Sequence, residues 1–272
     1  MSETLRRPRP ASLPMYHVHR PAVAALWEGV ADRLRTLGVG HVPATLDWPD
    51  HLEAHWRDPD LLLSQACGFP LVTFLDGRVQ LVGAFHYDAP GCDGVLNRSQ
   101  LVVRASDPAQ TLEDLRGRRV AINGTDSQSG HNSLRALVLP LARGGRFFGG
   151  AHITGAHHLS VLAVHDGLAD VAAIDCVSLA GFHRHRPEIT AGIRVLGETA
   201  AYPGLPLITS STTAPETMAA LREALEWVTL SPALAQVRAD LFIRAFEALP
   251  LRRYQVCRDM RDAASAAGMV MA

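Results

Sequence analysis

Short apolar runs of four or five residues alternate with stretches of helical periodicity along most of this chain. Such alternation restricts the fold to α/β, with helices packed on both faces of a sheet. Ala11–Tyr16 is short, apolar and bounded by prolines, which predicts a strand. The stretch from Pro21 to Leu37 then places Val23, Leu26, Trp27, Val30 and Leu34 on one helical face. Asp60–Ser64 and Val79–Gly83 are runs of the kind that form strands buried on both faces, as in parallel sheets.

A second series begins near Leu101–Arg104. It continues through a short helix at Thr111–Leu115 and strands at Arg119–Ile122, Ala151–Thr154, Asp170–Ile174 and Ile193–Leu196. Helices are predicted over 156–166 and from Val177. One strand–helix series interrupting another predicts two α/β lobes, each a mostly parallel sheet flanked by helices with a ligand cleft between them. The boundaries are 1–97 plus 197–272 for the first lobe and 98–196 for the second. Beyond Leu207–Thr209, the box Thr213-Ala214-Pro215-Glu216 predicts the cap of a helix carrying Met218, Leu221, Leu225 and Val228. Further helix is predicted over 231–249.

Composition narrows the partners. A chain of 272 residues, 47% hydrophobic, can bury a sizeable core. Its 26 Lys+Arg against 27 Asp+Glu leave no basic surplus for nucleic acid or an anionic membrane surface. No apolar run approaches the roughly 18 residues of a membrane span. Arg6 and Arg7 are followed by prolines instead of the apolar core of an export signal, so the chain as written is expected in the cytoplasm, and in the periplasm if the true start lies upstream. Cys67, Cys92, Cys176 and Cys257 read as free thiols, with Cys67 and Cys92 the one pair to check for a disulfide. Thirteen histidines include His51/His55 at helical spacing and His17/His19 and His183/His185 at strand spacing, but no three at a metal-ligand spacing. No metal and no cofactor are expected.

Three strand ends carry small polar residues, where helix N-termini present free N–H groups. The first reads Asn123-Gly124-Thr125-Asp126-Ser127-Gln128-Ser129-Gly130-His131-Asn132. Its hydroxyls, glycines and N–H groups could cradle a tetrahedral anion, or could equally form a polar turn with a serine N-cap. The second, Thr154-Gly155-Ala156-His157, offers a histidine that either donates to an anion or caps a helix. The third, Asp175-Cys176, offers a carboxylate that either caps a helix or accepts the proton of a protonated oxyanion.

At these residues the chain resembles the phosphate/phosphite/phosphonate-binding family of ABC-transporter substrate-binding proteins, over about Leu13 to Leu207. The most specific parts are the run from Thr111 to Ala121, Asp126-Ser127-Gln128-Ser129-Gly130, Thr154-Gly155-Ala156-His157, and the run from Gly167 to Asp175. The resemblance implies a bilobal type II periplasmic-binding-protein fold that holds a small oxyanion or phosphonate between its lobes. It implies ligand contacts from Ser127, Gln128, Ser129 and His157, with N–H groups through Gly130 and His131, and with Thr154 and Asp175 nearby. Aromatic residues of the first lobe are expected from Tyr16 and Tyr87. Gln65 joins them from Ser64–Pro70, where relatives commonly offer a glycine and a tyrosine. An ABC permease is the implied partner, and the protein itself is expected to be a monomer. The alternative is a lyase- or dehydratase-like enzyme, or a ligand sensor, on the same fold, although no obvious nucleophile–base pair stands out.

Overall fold

The computed structural model of the protein describes residues 7–271. Residues 1–6, part of the segment read for an export signal, lie outside the described residues. β1 (Ala11–Ser12) leads to α1 (Arg20–Thr36), where Pro21 occupies the first turn and has no N–H to leave unpaired. α1 buries Val23, Leu26, Trp27, Val30 and Leu34, the face its periodicity predicts. Next come α2 (Leu52–Trp56), β2 (Leu63–Gln65), α3 (Gly68–Leu71) and β3 (Val79–Tyr87). β4 (Leu96–Asn97) carries the chain into the second series.

That series contains β5 (Ser99–Arg104), β6 (Arg119–Ile122), α4 (Ser133–Val138), β7 (Gly150–Ile153), α5 (His157–His165) and β8 (Val171–Asp175). α6 (Cys176–His185), α7 (Pro187–Thr190) and β9 (Ile193–Glu198) complete it. The chain returns through β10 (Tyr202–Pro203) to β11 (Pro206–Ser210), α8 (Pro215–Leu230), α9 (Ala235–Asp240), β12 (Ile243–Glu247) and α10 (Gln255–Ala266).

Two five-stranded sheets result, ordered β1-β2-β11-β3-β12 and β7-β6-β8-β5-β9, and β4 pairs antiparallel with β10 where the chain passes between them. Each sheet has its own apolar core: Leu26, Trp27, Leu63 and Phe85 in the first, Leu101, Val120, Leu134 and Val171 in the second.

Four expectations need correction. The sheets are mixed, not mostly parallel. Only β1 and β2 pair parallel in the first, while in the second β6 is parallel to β7 and β8 and β5 is antiparallel to β8 and β9. An apolar run reports burial on both faces, and it is silent on strand direction. Residues 231–249 are not one helix: α9 stops where Phe242 adopts φ 58°, and β12 then adds to the edge of the first sheet beside β3. The positive φ is unfavourable for a bulky residue, and the ring is held under the Arg184 guanidinium, 3.8 Å from its centroid.

The box at Thr213 does not cap α8. Ala214 is the N-cap, and Thr213 Oγ1 shares a 2.7 Å hydrogen bond with Thr209 Oγ1. Finally, the C-terminal residues do not all pack with the first sheet. Tyr254 and Cys257 lie in a core with Leu61 and Ala84, whereas Ala264, Met269 and Met271 lie in the core of the second sheet, so α10 straddles both.

Candidate anion site

After β6 the backbone makes a single π turn over Gln128–Asn132, which runs straight into α4. Ser127 precedes it in an extended conformation, and its Oγ accepts the Gly130 N–H at 3.0 Å, so the serine does cap the turn. The same Oγ lies 3.4 Å from Ser129 Oγ, and Ser129 Oγ hydrogen-bonds His157 Nε2 at 2.8 Å. Gly130 is closely packed: a Cβ on it would stand 1.9 Å from Asn123 Oδ1, the end of a side chain, and 3.3 Å from His157 Cε1. The serine turn is therefore pressed against the first residue of α5.

His157 is half-buried, and desolvation, with His158 alongside, pulls its pKa down to about 4. It is a neutral ring near pH 7, not the positive charge that would offset an anion. Its Nδ1 is buried without a hydrogen-bond partner among the described residues.

The other predicted members separate. The Gln128 side chain turns away from the hydroxyls: its Nε2 donates to Met260 Sδ at 3.4 Å and its Oε1 accepts from Asn132 Nδ2 at 2.8 Å. Its backbone N–H donates to Cys67 Sγ at 3.2 Å. With the Gly130 N–H also committed, two of the N–H groups expected to hold an anion serve the protein itself. His131 is buried, and desolvation, with Arg135 alongside, lowers its pKa to about 4. The Thr154 hydroxyl is engaged locally, bonding Ser160 Oγ at 2.7 Å and the carbonyls of Ile122 and Ala156.

Asp175 ends β8 and is buried. Its Oδ1 accepts the Ser178 N–H at 3.0 Å, capping α6, and its Oδ2 accepts the Tyr16 hydroxyl at 3.0 Å across the divide between the sheets. Burial raises its pKa, and the Ser178, Tyr16 and Asn97 hydrogen bonds oppose that rise. Ser99 ties acid to serine turn: it faces Asp175 in the β5–β8 ladder, and its Oγ donates to the Ser129 carbonyl at 2.8 Å.

From the first sheet, Tyr16 meets Tyr87 edge to face with ring centroids 5.1 Å apart, and Gln65 Nε2 donates to the Tyr87 hydroxyl at 3.3 Å. A void of about 20 Å³ lies behind these three, against Leu13, Val23 and Leu26.

Sequence reasoning passes over Asn97 as a site residue. Asn97 is buried on β4 and donates through Nδ2 to the Tyr16 hydroxyl at 3.3 Å, which links the crossover to the acid. An asparagine in a turn-rich stretch carries no local signal of that role. All four thiols are free, as the spacing predicts; Cys67 and Cys92 do not pair, since Cys67 lies against Gln128 and the neighbour of Cys92 is Cys176, at 3.5 Å between sulfurs. Among the described residues no three His, Cys, Asp or Glu side chains converge as a metal site, and no helix is long and apolar enough to cross a membrane.

Solved structures share this architecture at low identity, which bears on the fold alone. A binding-protein component of a phosphonate ABC transporter from Pseudomonas aeruginosa aligns with a TM-score of 0.76 and 16% identity, covering 96% of this chain and 88% of that one. PhnD1 from Prochlorococcus marinus, solved with methylphosphonate, aligns at 0.75 with 13% identity over 95% and 98% of the two chains. A Xanthomonas citri protein bound to ATP aligns at 0.71 with 16% identity over 95% and 98%. No curated protein sequence matches. The fold is thus a bilobal periplasmic-binding-protein fold. The family model described as the periplasmic substrate-binding protein of phosphonate ABC transporters matches residues 90–253, more than half of the chain, and the chain belongs to that family.

Proposed function

We propose that this protein captures a small phosphate-like oxyanion (phosphate, phosphite or a phosphonate) between its lobes and presents it to an ABC permease. The observation that carries the reading is the Ser127–Ser129–His157 constellation, set at the head of α5 and joined through Ser99 to Asp175. Hydroxyls and a helix start are donors to an oxyanion. Tyr16, Gln65 and Tyr87 complete the enclosure from the first lobe, with the lobes dividing near residues 97 and 197. Site of action and partner follow the family: the periplasm, and a permease.

Binding without chemistry suits the site. Ser129 and His157 form a hydroxyl–imidazole pair, but an activated nucleophile needs its base oriented by a third group, and His157 Nδ1 has no such partner among the described residues.

Asp175 sets the selectivity in this reading. Among the described residues no cationic side chain hydrogen-bonds the serine turn or His157, and an ionised carboxylate repels a full dianion. The ligand must therefore bring a proton that Asp175 can accept, with Tyr16 giving way. Phosphate, phosphite and phosphonates have such a form near neutral pH; sulfate has none. Calorimetric titration of phosphate, phosphite, methylphosphonate and sulfate, into wild type and Asp175→Asn, tests this. Wild type is expected to bind the phosphorus oxyanions and reject sulfate, and Asp175→Asn to narrow that gap. Equal binding of sulfate, or a ratio unchanged in the variant, leaves Asp175 as the cap of α6 alone. A thermal-shift screen precedes it, because a ligand at about 100 times its Kd adds about 2.7 kcal/mol to stability.

A further inference from the structure

Cys92 and Cys176 are 84 positions apart, and their sulfurs are 3.5 Å apart. Cys92 ends the turn Ala89-Pro90-Gly91-Cys92, in which the Cys92 N–H donates to the Ala89 carbonyl at 2.9 Å. Pro90 supplies the fixed φ and Gly91, at φ +95°, the left-handed position that this type of turn requires. The turn joins β3 of the first sheet to β4. Cys176 is the first residue of α6, directly after Asp175, and belongs to the second sheet's series. Contact is close along the whole turn: a Cβ on Gly91 would stand 2.9 Å from Cys176 Cβ. Cys176 is fully buried, whereas Cys92 is only half-buried.

We infer that Cys92 and Cys176 are a disulfide-forming pair that ties the two lobes together beside the anion site. Bond formation needs the sulfurs to approach by about 1.5 Å, within the reach of two side-chain rotations. The oxidant is a disulfide, small or protein-borne. The Cys92 thiolate, the accessible one, attacks a sulfur of the oxidant, forming a mixed disulfide and releasing one thiolate. The Cys176 thiolate then attacks the Cys92 sulfur, forming Cys92–Cys176 and releasing the second thiolate. Two protons leave the protein, the two cysteines are oxidised, and the oxidant is reduced to two thiols. The hydrogen bond with Cys92, burial and the neighbouring Asp175 raise the Cys176 pKa, which leaves Cys92 as the first thiol to react.

The consequence is mechanical. A bond from the β3–β4 turn to the first residue of α6 holds the contact between the lobes at the level of Asp175 and Tyr16. The oxidised protein can then exchange ligand only as far as local motion permits. This second effect rests on the oxyanion-binding reading, but the disulfide itself does not.

The test oxidises the full chain with glutathione disulfide, counts thiols, and maps the cross-linked peptides. Wild type is expected to fall from four free thiols to two, with Cys92 joined to Cys176 and a thermal midpoint raised by about 5 °C or more, reversed by reductant. Cys176→Ser is expected to stop at one glutathione attached to Cys92, and Cys92→Ser to acquire none at Cys176. Retention of all four thiols, or pairing of Cys67 with Cys257 instead, overturns the inference. Methylphosphonate exchange, measured on the oxidised and reduced forms, is then expected to slow by about tenfold on oxidation, since opening must precede release. Failure to bind methylphosphonate in either form counts against the oxyanion reading, while the peptide map alone decides the disulfide.

Discussion

The serine turn of the second lobe comes from one stretch of chain, Ser127–Asn132, while the face opposite gathers Tyr16, Gln65 and Tyr87 from three stretches. The turn is crowded: a methyl group at Gly130 fits only if the Asn123 side chain turns aside. Behind the tyrosines there is slack, a void of about 20 Å³ among aliphatic side chains. A locally encoded, tightly packed element tolerates little change. An element assembled from distant residues has several partners sharing its position, and loses less with any one of them.

Substitution at Gly130 gives the largest effect expected from that contrast. In Gly130→Ala the new methyl group must turn Asn123 aside and press on His157, and overpacking of this kind costs about 1–3 kcal/mol. Methylphosphonate binding is expected to fall about a hundredfold, at which point a calorimetric isotherm no longer saturates. Wild-type affinity in Gly130→Ala would show that the turn is no tighter than the tyrosine face.

Acid comes next. The folded-state pKa of His157, about 4, lies below the ordinary value of 6.5, so the unfolded chain binds more protons between those limits. Stability is whole above pH 6.5 and declines as pH falls toward 4, by about 3 kcal/mol from this group. Urea unfolding of wild type and His157→Gln at pH 7 and pH 4.5 should show a smaller acid loss in the variant. Equal losses would place the acid sensitivity elsewhere, with His131 the next group to examine.

In the proposed site the Ser129 hydroxyl donates one hydrogen bond to a charged ligand, worth about 1.5–3 kcal/mol, so Ser129→Ala should weaken methylphosphonate binding about tenfold or more. The smallest effect belongs to the tyrosine face. Tyr16→Phe loses the bond to Asp175 but keeps the ring against Tyr87, and affinity should change by about threefold or less. A Tyr16→Phe loss exceeding that of Ser129→Ala would invert the comparison.

The same contrast explains what was legible beforehand. Ser127, Ser129 and His157 stand at strand ends whose positions follow from short-range periodicity, and the structure brings them into one hydrogen-bonded group. Gln128, Thr154 and His131 share that segment pattern, but their side chains serve the cores and caps around them. A polar residue in a loop does not declare which neighbour will take its hydrogen bond.

By itself the sequence determined the alternation of strands and helices, the interruption of one series by another, and the polar strand ends where a ligand can bind. These depend on residues within a few positions of one another, where periodicity and turn chemistry act. Only the tertiary structure decided the direction of the strands, the addition of β12 at a sheet edge, the path of α10 across both cores, and the meeting of Cys92 with Cys176 and of Tyr16 with Asp175. Each of these joins residues tens to more than a hundred positions apart. Their proximity is set by how the two sheets close on each other, which no local preference encodes.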